Sequence, residues 1–139
     1  MIVRTTGEKE TIRIGYALGK TLAKGAVVSL RGSLGVGKTV FAKGIAQSLG
    51  IKEAIVSPTF TLIQEYEGTL PLYHMDLYRI DSVEEFELIG GEEYLYGEGI
   101  TLIEWSEKIQ ELLPEETISV TITLDEDGSR EIRIEGSTL

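Results

Sequence analysis

Residues 32–39 read Gly-Ser-Leu-Gly-Val-Gly-Lys-Thr, and this octet constrains the fold more than any other part of the chain. It satisfies the pattern G-x-x-x-x-G-K-[ST], whose chemistry requires a strand before it and a helix after it. A loop of that length curls its backbone N–H groups around a phosphate. Its glycines permit positive φ and keep side chains out of the way. The following helix directs its positive end at the anion. Both flanks fit: residues 26–31 form a short β-rich run, and residues 39–49 read as a helix stopped by Gly50. Lys38 is expected to reach the β- and γ-phosphates and the Thr39 hydroxyl to ligate Mg²⁺. The expected ligand is a nucleoside triphosphate.

A length of 139 residues predicts one domain spanning residues 1–139, with roughly two-thirds of the unfolded chain's surface buried. Hydrophobic residues make up 42% and charged residues 26%, which excludes disordered and collagen-like chains. With no cysteine and a single histidine, disulfide frameworks, thiol nucleophiles and multi-histidine metal sites are excluded. No apolar run approaches a membrane span and the first ten residues lack a signal-peptide core, so the expected compartment is the cytoplasm, with no membrane partner. The net charge of -10 is unevenly spread: residues 1–80 carry +4 and residues 81–139 carry -14. A duplex-binding surface needs clustered Lys and Arg. The acidic half opposes direct nucleic-acid binding by this chain alone. It serves either as a solubilising surface or as a docking face for a basic partner.

The remaining pattern predicts an α/β fold. Ile14, Ala17, Leu18, Thr21 and Leu22 share one helix face, and Thr5-x-x-Glu8 suggests a capping box at its start. Residues 60–66 and 70–77 read as strands, 82–96 as a helix interrupted at Gly90-Gly91, and 100–105 as a buried strand followed by a short helix to Leu113. Ile118, Val120, Ile122 and Leu124 alternate with polar residues, Asp127-Gly128 supplies a turn, and Ile132 and Ile134 resume the alternation, which is a β-hairpin. The expected architecture is a P-loop domain with a mixed parallel and antiparallel central sheet, flanking helices and a C-terminal hairpin.

Several triphosphate machines are excluded. The chain has no asparagine, so the N-K-x-D guanine reader of regulatory GTPases is absent, and its six scattered arginines form no lid of the small-molecule kinase type. A minimal ATPase remains. Such a site needs a carboxylate at a strand end to hold Mg²⁺ or orient water. Asp76 and Glu104 occupy such positions, a carboxylate that caps the next helix or pairs with Arg79 being the alternative, and Asp76 is expected on a strand running beside the P-loop strand. Ser57-Pro58-Thr59-Phe60 lies where P-loop proteins often place a γ-phosphate sensor; a plain strand-start turn is the alternative. His74 is open between two roles, a packing residue with one satisfied nitrogen or a hydrogen-bond partner organising Asp76 or a partner surface. Strand alternation puts it on the same face as Asp76.

Together GSLGVGKT (32–39), SPTFTLIQEY (57–66), YHMDLYR (73–79) and LIEW (102–105) resemble the bacterial TsaE family in order and spacing. The resemblance spans essentially the whole chain. It implies an ATPase subunit of the machinery that installs threonylcarbamoyl on adenosine 37 of tRNAs reading ANN codons. ATP and Mg²⁺ would be the cofactors, and the threonylcarbamoyl transferase with its paralogous companion the partners. It assigns the phosphate cradle to Leu34, Gly35, Val36, Gly37, Lys38 and Thr39, with Thr39 and Glu104 on Mg²⁺. Asp76 matches the aspartate that positions the attacking water and Thr59 the threonine of a switch-like segment. Trp105 matches an aromatic near the nucleotide, and Arg130 an arginine approaching the adenine side. The family commonly carries Asp at the place of Ser33 and Ala at that of Val36. The alternative reading is a nucleotide-dependent interaction module in which ATP occupancy, not hydrolysis, regulates the complex.

Overall fold

Val27 to Leu30 are four small or apolar residues in a row, the composition of a strand buried on both faces. They form most of β2 (Val27–Arg31), at the centre of a seven-stranded sheet. The computed structural model describes every residue except Leu34, Thr59 and Thr138. Before β2 come β1 (Ile2–Thr5) and α1 (Glu8–Thr21); after it come α2 (Lys38–Ser48), β3 (Ile63–Tyr66) and β4 (Leu72–Asp76). Then follow α3 (Val83–Leu88), α4 (Gly91–Leu95), β5 (Ile100–Glu104) and a 3-10 helix (Ser106–Leu112). The hairpin of β6 (Ile118–Leu124) and β7 (Arg130–Glu135) completes the chain's regular structure.

The sheet order is β1-β7-β6-β2-β5-β4-β3. β2 runs parallel to both β5 and β6, and β4 runs parallel to β5, while β3, β7 and β1 join antiparallel. The mixed sheet and terminal hairpin expected from the sequence are therefore present. Successive residues of the central strands face opposite layers. Val28 and Leu102 pack with Leu18, Phe41 and Ile45 under α1 and α2, whereas Val27 and Ile103 pack with Met75, Phe86 and Ile109 under α3 and the 3-10 helix.

α1 and α2 meet backbone to backbone. A Cβ on Gly44 would collide with the Ile12 carbonyl and one on Gly15 with the Phe41 carbonyl, so only glycine allows this approach. The contact carries the first turn of α1 to the edge of the phosphate loop.

Three expectations are corrected, and one strand, β1, has no counterpart among them. It is an edge strand paired with β7, over a hundred residues away, so no local pattern announces it. The Thr5-x-x-Glu8 capping box does not form: Thr5 is buried in β1 and shares a hydroxyl hydrogen bond with Thr11, while Gly7 takes the N-cap position. Phe60 to Leu62 is turn rather than strand, because Leu62 takes a left-handed φ of 67° and its N–H closes back on the Pro58 carbonyl. Finally, β4 does not adjoin β2, since β5 lies between them. Among the described residues no helix is long and apolar enough to cross a membrane.

An ordinary helical Gly→Ala change stabilises by up to about 1 kcal/mol. Gly44→Ala is expected to do the opposite, destabilising by about 1–3 kcal/mol through overpacking against α1. Urea unfolding measures the sign, and a stabilised variant would contradict the close approach.

Candidate functional site

The parallel register places three strand ends side by side. Leu30 of β2 and Asp76 of β4 both pair with Glu104 of β5, so the phosphate loop, Glu104 and Asp76 emerge together from the carboxyl edge of the sheet. Ligands of open α/β sheets bind outside this edge. A cavity of about 330 Å³ lies there. Gly35, Gly37, Lys38 and Thr39 line it from the loop, Asp76, Glu104 and Trp105 from the strand ends, and Ser57 and Arg130 from neighbouring segments. Glu8 and Thr11 close it from the first turn of α1.

The loop is shaped by its glycines and held from outside. Gly37 is the left-handed N-cap of α2, with φ 108°, a conformation that strains any residue with a Cβ. The Arg130 Nε–H donates to the Val36 carbonyl at 2.6 Å, fastening the C-terminal hairpin to the loop. Val36 itself faces the core, so its part in the cradle is played by its backbone.

Lys38 is almost fully buried, and its ammonium lies 3.3 Å from Oε1 of Glu104, which is buried as well. The other carboxylate oxygen, Oε2, is 2.8 Å from His74 Nε2. His74 thus partners Glu104 rather than Asp76. Burial pushes the Glu104 carboxyl up, but the hydrogen bond to His74 and the Lys38 ammonium outweigh it and hold the group below the usual carboxylate range.

Trp105 follows Glu104 in a left-handed conformation, φ 62° and ψ 37°, which costs a non-glycine residue about 1–2 kcal/mol. The bend drops the chain from β5 into the 3-10 helix and leaves the indole at the cavity wall. There its ring lies 5.8 Å from the Lys38 ammonium and 5.0 Å from the Tyr78 ring. Asp76 is buried, and its Oδ1 accepts the Tyr78 N–H at 3.0 Å in an Asx-turn. The Asp76 backbone N–H donates to the Leu62 carbonyl, which ties this aspartate to the turn following Pro58. Arg79 lies over the Phe60 ring at 4.4 Å.

Among the described residues no cluster of three His, Cys, Asp or Glu side chains could cage a metal ion. Mg²⁺ needs no such cage, because it keeps several waters and takes one or two protein oxygens beside substrate phosphates. Thr39 and Glu104, both lining the cavity, fit that donor set. Of the residues singled out from sequence, Gly35, Gly37, Lys38, Thr39, Asp76, Glu104, Trp105 and Arg130 converge on this one cavity. Leu34 and Thr59 lie outside the described residues. Glu8 and Thr11 carry no site signal in the local sequence. Their only signal is the helical spacing of Gly15 in α1 and Gly44 in α2, which is legible only once the two helices are known to touch.

A phosphate loop between a parallel strand and a helix, with buried carboxylates on neighbouring strand ends, defines a P-loop α/β protein. Comparison with known proteins narrows the class. The family described as threonylcarbamoyl adenosine biosynthesis protein TsaE matches residues 5–132. A TsaE protein of Treponema pallidum is 48% identical over 126 residues, covering 91% of this chain and 93% of the relative. One from Bacillus subtilis is 45% identical over 130 residues, covering 93% and 81% respectively. The crystal structure of Bacillus subtilis YdiB superposes with a TM-score of 0.80 at 40% identity, covering 95% of this chain and 82% of that one. The chain belongs to the TsaE family.

The depressed Glu104 carboxyl has a stability consequence. Its contribution is fully present above the carboxylate range of an unfolded chain and is lost as pH falls through the folded value. The wild type is therefore expected to lose stability relative to Glu104→Gln as pH falls from about 7 to about 3.5. Urea midpoints at the two pH values measure this. A wild type that gains on the variant in acid would mean that burial dominates instead.

Proposed function

We propose that this chain binds Mg²⁺-ATP in the cavity at the strand ends and hydrolyses it. It does so as the ATPase subunit supporting threonylcarbamoyl modification of adenosine 37 in tRNAs reading ANN codons. It acts on the threonylcarbamoyl transferase and its paralogous companion in the cytoplasm. The observation that carries the reading is the convergence of Lys38, Thr39, Glu104 and Asp76 on one cavity at the carboxyl edge of parallel strands. Membership of the TsaE family supports the pathway.

The loop N–H groups donate to the phosphate oxygens, and Lys38 exchanges Glu104 for phosphate oxygens. Thr39 and Glu104 would hold Mg²⁺, which when bound neutralises charge on the β- and γ-phosphates. Asp76 accepts a hydrogen bond from a water and aligns it on the γ-phosphorus. The water oxygen bonds to phosphorus and passes a proton to the Asp76 carboxylate as the bond to the β–γ bridging oxygen breaks, its electron pair leaving with ADP, to give ADP and inorganic phosphate. Positioning supplies most of the rate in such a reaction, and general-base help is worth about 10²–10⁴-fold. The charge split supports protein partners over direct tRNA contact, since the -14 half repels phosphate.

Asp76→Asn keeps shape while removing charge and proton acceptor. Hydrolysis by the full complex is expected to fall at least about tenfold. ATP affinity should stay within about threefold, or about 0.7 kcal/mol, and multi-turnover tRNA modification should fall with hydrolysis. Modification that persists without hydrolysis would instead establish the interaction-module reading. Glu104→Ala is expected to weaken the Mg²⁺ dependence of ATP binding and turnover; an unchanged dependence would remove Glu104 from the metal site. The isolated chain should show no tight, salt-sensitive tRNA binding in a filter or mobility assay, and finding such binding would overturn the partner assignment.

A further inference from the structure

We propose that His74 is a positioning residue: it holds Oε2 of Glu104 in a hydrogen bond, so that Oε1 alone is presented to the cavity. The inference rests on the Mg²⁺-ATP reading above and goes beyond it by assigning separate tasks to the two carboxylate oxygens.

His74 stands in the middle of β4, paired with Leu102 of β5 and Gln64 of β3, and is completely buried. Its Nε2 lies 2.8 Å from Glu104 Oε2. Its Nδ1 is buried with no hydrogen-bond partner among the described residues. These two facts fix the tautomer of a neutral ring. A proton on Nδ1 would leave a buried N–H orphaned, a rare and costly state, and would set the Nε2 lone pair against the lone pairs of a carboxylate. A proton on Nε2 makes one charge-assisted hydrogen bond and leaves only a bare acceptor at Nδ1. A neutral ring is therefore the Nε2–H tautomer, donating to Oε2.

The consequence falls on Oε1, which is 3.3 Å from the Lys38 ammonium. Once phosphate draws Lys38 away, Oε1 is the oxygen left facing the cavity, while Oε2 stays occupied by the imidazole. Glu104 then contributes one oxygen, directly or through water, in a fixed orientation. Without His74 the carboxylate is free to rotate, to pair with Lys38 through both oxygens, and to lose its aim. Partners that orient a metal ligand in this way are typically worth about 10–100-fold in metal affinity.

The chain's single histidine makes the test direct. Long-range ¹H–¹⁵N correlation spectra of the ligand-free protein report the tautomer, and a protonated Nε2 with a bare Nδ1 is expected. Calorimetric ATP affinity is then measured with and without Mg²⁺ for the wild type, His74→Gln and His74→Leu. His74→Leu should lose about 10–100-fold of the Mg²⁺-dependent enhancement while Mg²⁺-free ATP binding stays within about threefold, about 0.7 kcal/mol. His74→Gln, which keeps an N–H donor, should restore most of that loss. A proton on Nδ1, or an unchanged Mg²⁺ enhancement in His74→Leu, overturns the proposal. If His74→Leu does not fold, the tautomer and His74→Gln decide it: a folded Gln variant that loses the whole enhancement contradicts the donor role. Failure of the wild type to bind ATP at all would reject the nucleotide reading instead, which the ligand-free spectrum distinguishes.

Discussion

The ion pair between Lys38 and Glu104 is the interaction on which the site depends. Both side chains are more than nine-tenths buried. Neither charge is tolerable in such a place alone, and removing one partner of a buried pair typically costs about 3–5 kcal/mol. Each therefore dictates the other's position, and the sheet supplies the geometry. β2 delivers the phosphate loop and β5 delivers Glu104 from the neighbouring strand, in register at Leu30 and Glu104. On the Mg²⁺-ATP binding proposed above, phosphate would take Lys38 and leave Glu104 a buried carboxylate in need of another cation, which would couple nucleotide and metal binding through one residue.

Other parts of the fold hold this pair in place. The glycine-mediated contact of α1 with α2 brings Glu8 and Thr11 to the cavity lined by the loop that precedes α2. Arg130 fastens the loop from the hairpin side through the Val36 carbonyl. The strained backbone of Trp105 turns the chain just after Glu104. Lys108, from the 3-10 helix, donates to the Tyr78 and Ile80 carbonyls and anchors the segment that follows Asp76. Strain and tethering of this kind concentrate where a side chain must be held against its own preference.

How much of this was legible in the sequence depends on distance along the chain. The phosphate loop, the strand ends at Asp76 and Glu104, the interrupted helix at Gly90-Gly91 and the C-terminal hairpin rest on local spacing, and each is present. What escaped rests on pairing between remote segments. β1 exists because β7 is there to receive it. The order of the sheet, with β5 between the strand of Asp76 and the strand of the loop, has no local signature, and nor does the bond from His74 to Glu104 across thirty residues. The Thr5-x-x-Glu8 pattern misled because Thr5 has a stronger use, buried in β1 against Thr11.

Mg²⁺-ATP binding as proposed above would require Lys38 and Glu104 to part. A crystal structure of the chain with Mg²⁺ and a non-hydrolysable ATP analogue tests it most directly. Lys38 Nζ is expected to have moved from Glu104 onto phosphate oxygens, with the metal between Thr39 and the Glu104 oxygen that Lys38 released. A nucleotide bound while the Lys38–Glu104 pair stays closed, or a metal ligated elsewhere, would contradict it.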